Sequence, residues 1–245
     1  MLATSSWGAP PEAPTLTEHE AHVWLADLDA VASNRGALDK IISPGELARA
    51  NRFLHEHDRR RSIASRAILR SLLAIYTGVP AEAIAFDFHA NGKPFLPVAR
   101  GTRSLEFNLS HSESLALFAF SWDRQLGVDI ERIRDTTHLE RLARRVLSDG
   151  ESAVFDAYPA TQKAHLLYRY WTCKEAVIKA AGQTIAEVRR IGIPLEAQMS
   201  ADWIELNGGT SAGSWLLREL KPPHGYTAAL AAESQATLSF WEMPA

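Results

Sequence analysis

The chain has 245 residues, of which 46% are hydrophobic and 22% charged, enough for a sizeable core in one large domain or two small ones. Its net charge of −3 argues against bulk nucleic-acid binding, and its single cysteine, Cys173, excludes an internal disulfide and fits a reducing compartment. No apolar run approaches the roughly 20 residues of a membrane span, and no basic-then-apolar leader opens the chain, so a soluble, cytoplasmic protein is expected.

Residues 1–15, rich in Ala, Pro and Ser, read as a flexible tail despite Trp7. A first strand is expected over 23–28. Ser43-Pro44-Gly45-Glu46 is a helix start: Ser43 caps, Pro44 suits the first helical position and Glu46 completes a capping box. That helix is expected to reach about residue 57, with Leu47, Ala50 and Leu54 inward, and Asp58 then caps a longer helix that Gly78 and Pro80 end. Arg59, Arg60 and Arg61 crowd the first turn of that helix with Ser62, near a dipole pole that favours anions, so the stretch is either a solvated charge run or an anion site.

Residues 84–88 alternate as a strand, and Asn91-Gly92-Lys93-Pro94 is a tight turn that fixes Lys93. Leu105, Phe107 and Leu109 mark a strand ending in Ser110-His111-Ser112, and 115–120 is apolar on both faces, as a central strand would be. In 126–131, Leu126, Val128 and Ile130 alternate with Gly127, Asp129 and Glu131. One face therefore enters the core, and the other carries two carboxylates side by side. Like charges there call for a cation between them, and a hard divalent ion such as Mg²⁺ fits; a wet strand face neutralised by Arg132 and Arg134 is the plainer alternative.

Leu139, Leu142 and Val146 give a helix whose outer face is Arg141, Arg144 and Arg145, either solvated or a docking patch for an acidic partner. Ser148 and Glu151 form a second capping box, and a long helix is expected from 161 to 181, closed by Gly182. Within it Trp171, Glu175 and Lys179 lie four residues apart on one face. Four consecutive strands with tight turns (one at 207–209) imply a C-terminal antiparallel sheet. The halves echo each other, so the expected fold is α+β, two similar subdomains (16–123 and 124–245), each an antiparallel sheet packed on helices, pseudo-twofold related, with the active site in the cleft.

Taken in order, Ile42-Ser43-Pro44, Asn91-Gly92-Lys93-Pro94, Phe107-Asn108-Leu109-Ser110-His111-Ser112, Gly127-Val128-Asp129-Ile130-Glu131 and the helix motif Trp171, Lys174-Glu175-Ala176 and Lys179 resemble the 4′-phosphopantetheinyl transferases, in their surfactin-type, two-subdomain branch. The resemblance implies a monomeric enzyme that moves the phosphopantetheine arm of coenzyme A onto a serine of an apo acyl, polyketide or peptidyl carrier protein. Adenosine 3′,5′-bisphosphate would be released, with no nucleic-acid or membrane partner. It implies that Asp129, Glu131 and Glu175 hold Mg²⁺ (or Mn²⁺), that Glu175 is the base for the carrier serine, and that Lys179 contacts the diphosphate or helps protonate the leaving group. Asp129, Glu175 and Lys179 are thus the catalytic candidates. By the same resemblance Ser110 and His111 contact the bisphosphate end, His111 at the 3′-phosphate; Lys93 lies near the nucleotide, Arg61 and Ser62 line its pocket, and Arg49 and Arg52 are further candidates. Glu46 stands where relatives often carry a basic residue near that phosphate. A Mg²⁺-dependent hydrolase of a nucleotide diphosphate would use the same acids.

Overall fold

A computed structural model describes residues 7–33, 35–99, 101–135, 137–194, 202–206 and 213–244; residues 1–6 and the expected turn at 207–209 lie outside the described residues. The first half begins with β1 (Glu20–Asp27), whose last residue caps α1 (Leu28–Ala32) by accepting from the amides of Asp29 and Ala30. α2 (Arg35–Leu38) and α3 (Pro44–Ala50) follow. The Ser43/Glu46 capping box forms as expected, but α3 stops at Ala50. Leu54, expected on its inner side, is 90% exposed, so a longer helix would have buried nothing there.

α4 (Glu56–Thr77) starts two residues before the expected Asp58, without a side-chain cap, and ends on Gly78 in the left-handed conformation. A short hairpin of β2 (Asp87–Phe88) and β3 (Pro94–Phe95) leads to the long hairpin of β4 (Leu105–Ser112) and β5 (Leu115–Trp122).

The second half repeats the scheme. β6 (Leu126–Arg132) is followed by α5 (Leu139–Val146), α6 (Asp149–Ala157) and the long α7 (Lys163–Ala181), which Gly182 closes. Then come β7 (Ile204–Leu206), β8 (Trp215–Leu220), β9 (Tyr226–Ala232) and β10 (Thr237–Glu242). The sheet orders are β10-β1-β5-β4 and β6-β9-β8-β7. In each, the half's first strand pairs antiparallel with a later strand (β5 or β9), which pairs with the strand before it. The devices repeat too: each capping-box glutamate, Glu46 and Glu151, is buried against a cation from its long helix, Arg70 or Lys174.

Strand alternation sorts the core. Trp24, Ala26, Phe118 and Phe120 face α4, and Ala229 and Ala231 join the cluster that contains α7. The opposite faces, including Val23, Leu25, Leu117, Ala119, Val128, Ile130 and Leu230, pack into a third cluster that joins the two sheets. This double coverage explains why β5 is apolar on both faces.

Two expectations are corrected. β10 does not extend the second sheet; it pairs parallel with β1 in the first, where Trp241 stacks edge-on against Trp24 at 4.9 Å. Nor are residues 7 and 8 a loose tail: Gly8 bridges to Trp241, Trp7 packs on Phe240 at 5.3 Å, and its indole N–H donates to the Lys221 carbonyl at 2.7 Å. The aromatic side chains of β10 give the N-terminal segment an apolar surface to bury against.

Candidate active site

Gly127 sets the site. A Cβ built there would lie 2.2 Å from the Ala176 carbonyl oxygen and 2.3 Å from the Ala180 nitrogen, so only a glycine lets β6 lie this close to α7. The close approach puts the polar face of β6, Asp129 and Glu131, against α7. From Tyr170 to Ala180 that helix is buried except for Trp171, Glu175 and Lys179, the stripe expected from their spacing.

A second strand braces the acids. Asn108, Ser110 and Ser112 lie on one face of β4, two residues apart, and each reaches β6. Asn108 Oδ1 accepts from the Val128 amide at 3.0 Å. The Ser110 hydroxyl donates to Asp129 Oδ1 at 2.7 Å, and Ser112 donates to Glu131 Oε2 at 2.8 Å while accepting from the Arg132 amide. The Trp171 indole donates to Glu131 Oε1 at 3.2 Å. Lys179 Nζ lies 2.6 Å from Asp129 Oδ1 and 2.9 Å from the Ser110 hydroxyl. Ser110 therefore orients Asp129 and Lys179.

These carboxylates are short of positive charge. Asp129 is 2% exposed, and its Oδ2 has no hydrogen-bond partner among the described residues. Burial, and next the charge of Asp129, raises the pKa of Glu131 and pushes that of Glu175 up to about 7. An orphaned carboxylate oxygen beside two carboxyls reluctant to ionise is the donor chemistry a hard divalent cation satisfies. Among the described residues no three His, Cys, Asp or Glu side chains form a ready-made metal cage. Mg²⁺ needs only one or two carboxylates, taking water and substrate phosphates besides, so the open donor set fits it.

The acids and Lys179 line a cleft of about 570 Å³ between the halves, together with Lys93, His111 and Arg66. Lys93 Nζ donates to the carbonyls of Leu126 and Lys179, both at 3.2 Å, and Asn91 Nδ2 donates to the Gly182 carbonyl at 2.8 Å. The loop between β2 and β3 thus caps the C-terminus of α7. His111 is exposed on the wall; desolvation within the cleft, then the charges of Lys179 and Arg66, hold its pKa down.

Other expected contacts lie elsewhere. Arg59 and Arg60 bond Glu56 in their own helix, and Arg61 forms a two-pronged pair with Asp29 and lies 3.5 Å from Glu113. Acids close by therefore pair with the basic run at the start of α4, and Arg59, Arg60 and Arg61 are not among the residues that line the cleft. Ser62 is half-buried and is not among the residues that line the cleft. Arg49 is exposed and stacks on Phe88, and Arg52 is exposed beyond the end of α3. Arg66 was not anticipated: it sits four residues after Ser62, so helical spacing from the basic run could have found it.

Comparison with known proteins agrees with this geometry. Residues 125–231 match a family model described as the 4′-phosphopantetheinyl transferase superfamily, and residues 32–122 match one described as 4′-phosphopantetheinyl transferase, N-terminal. The 4′-phosphopantetheinyl transferase HetI of Nostoc sp. is 41% identical over 226 residues, covering 92% of this chain and 93% of that protein. The 4′-phosphopantetheinyl transferase psf-1 of Bacillus pumilus is 32% identical over 61% of each chain, and AcpT of Escherichia coli is 32% identical over 60% of this chain and 71% of its own. At this identity and coverage the chain belongs to the 4′-phosphopantetheinyl transferases, enzymes that transfer the phosphopantetheine arm of coenzyme A to carrier proteins.

Proposed function

We propose that this enzyme is of the surfactin-type branch and, as a Mg²⁺-dependent cytoplasmic monomer built from units 16–123 and 124–245, the second lending β10 to the first unit's sheet, modifies the serine of an apo acyl, polyketide or peptidyl carrier protein. The observation that carries the reading is the meeting in one cleft of Asp129, with its orphaned oxygen, Glu131, Glu175 and Lys179. Asp129, Glu131 and Glu175 would hold the cation, for which Mn²⁺ can substitute. When bound, the cation neutralises charge on the coenzyme A diphosphate.

The chain's own residues do the rest. The serine Oγ attacks the phosphorus that carries the pantetheine arm. The bond from that phosphorus to the bridging oxygen breaks, and adenosine 3′,5′-bisphosphate leaves. Glu175, directly or through one water, takes the serine proton. Lys179, fixed by Asp129 and Ser110, meets the diphosphate and offsets charge on the leaving oxygen. Trp171 and Ser112 hold Glu131 in place.

The carrier docks beside the stripe that holds Glu175. Arg134, Arg141 and Arg145 border a surface cavity of about 390 Å³ with Tyr168, which lies one turn before Trp171 on α7. In an enzyme of net charge −3, attraction of an acidic carrier rests on such a local patch.

The test is intact-mass spectrometry of an apo carrier incubated with enzyme, coenzyme A and Mg²⁺. A gain of one phosphopantetheine, lost with EDTA or with a Ser→Ala carrier, is the expected result. Release of free phosphopantetheine from coenzyme A with no gain on any carrier would overturn the reading.

A further inference from the structure

The cleft holds more cations than the reaction centre uses, and they differ in how they are engaged. Lys179 lies on Asp129, and Lys93 donates to two backbone carbonyls. Arg66 is different. It projects from the middle of α4, half-buried between neighbours that are wholly buried, and lines the same cleft. It makes no hydrogen bond or ion pair with any described residue.

Its surroundings do not supply the missing anion. Glu46, the acid whose charge acts on it, is held by the amide and hydroxyl of Ser43 and by Arg70. Arg49 and Arg70 add positive charge around Arg66, and Arg66 itself, after burial and Lys179, lowers the pKa of His111. A guanidinium held partly out of water among like charges is unfavourable unless an anion completes it. Nothing in the described protein does so; a ligand must.

Coenzyme A carries two anionic groups. Its diphosphate belongs beside the carboxylates and Lys179, which lies on Asp129, because the bond that breaks is there. The other is the phosphomonoester on the ribose 3′-oxygen, nearly dianionic at neutral pH, whose oxygens suit the fork of an arginine. We propose that Arg66, beside His111, binds this 3′-phosphate and so sets the preference for coenzyme A over its dephospho form. The assignment rests on coenzyme A as the substrate. It also gives the basic role that Glu46 cannot fill to a residue of the next helix.

The test compares wild type, Arg66→Gln and Arg66→Lys by calorimetric titration with adenosine 3′,5′-bisphosphate and with 5′-AMP, which lacks the 3′-phosphate. Wild type should prefer the bisphosphate. Arg66→Gln should lose on the order of 10- to 100-fold in bisphosphate affinity, the range of a charge-assisted hydrogen bond, with 5′-AMP affinity unchanged; Arg66→Lys should fall between. An equal loss for both nucleotides, no loss for either, or no binding of either to wild type would overturn the assignment. In transfer assays, Arg66→Gln should lose the preference for coenzyme A over dephospho-coenzyme A. An unchanged preference sinks the role of Arg66 alone, whereas absence of transfer by wild type sinks the enzyme reading.

Discussion

Adding one methyl group at Gly127 should both loosen the fold and misalign the site. The new Cβ of Gly127→Ala would lie 2.2 Å from one helix backbone atom and 2.3 Å from another, where ordinary contact begins at 3.4 Å. Both obstacles are main-chain atoms of α7, so no rotamer change relieves them. The strand and helix must separate by about 1 Å, the shortfall in contact distance. Overpacking of this kind costs about 1–3 kcal/mol, and an obstacle made of backbone belongs at the upper end. For a chain of this size 3 kcal/mol lowers Tm by roughly 6–12 °C. The same movement carries Asp129 and Glu131 away from Glu175 and Lys179, and a misplacement of about 1 Å can slow catalysis on the order of 10²-fold. Thermal unfolding followed by circular dichroism, together with transfer rates at saturating coenzyme A, measures both effects. A variant that melts within about 2 °C of wild type and transfers at an undiminished rate would refute the argument that this contact positions the acids.

Asp129→Ala should abolish Mg²⁺-dependent transfer while the protein stays folded; retained activity in that variant would remove Asp129 from the reaction centre. Lys174→Met leaves the buried Glu151 without its cation, which should cost about 3–5 kcal/mol or roughly 6–20 °C in Tm, and adding Glu151→Gln should restore part of it. A Tm close to wild type in the single variant would contradict that account. The raised pKa of Glu175 sets a sign in metal-free protein: its contribution to stability is fully present below its unfolded value of 4.5 and is lost as pH rises through about 7. In EDTA, wild-type Tm should therefore fall relative to Glu175→Gln between pH 5 and 8, and Mg²⁺ should raise it again at pH 8. Parallel curves for the two proteins would sink the claim that Glu175 resists ionisation.

Local rules carried the sequence reading a long way. Alternation in 126–131 put Asp129 and Glu131 on the face that meets α7, and helical spacing put Trp171, Glu175 and Lys179 opposite them. Both capping boxes form as their serines and glutamates predict. What escaped was long-range pairing. Nothing local to Arg61 shows that Asp29, 32 residues away, takes its charge, or that Arg66, five residues on, is left without an anion among the described residues. The tight turn that fixes Lys93 was legible, but not that its ammonium reaches carbonyls 33 and 86 residues away. The strand character of 237–242 was legible; its partner was not, because an aromatic, half-buried strand fits the edge of either sheet.

The parallel pairing of β10 with β1 has a consequence for how the chain reaches this state. The register joins Glu20 to Thr237, so the ring of contacts that completes the first sheet spans almost the whole sequence. Closing so large a loop is entropically slow, and until it closes β1 offers an open edge carrying Val23, Trp24 and Leu25. During synthesis the first half therefore waits for β10 to be made. Stalled or C-terminally clipped chains should fail through that half by edge-to-edge association, although the residues they lack are more than 100 positions from it in sequence.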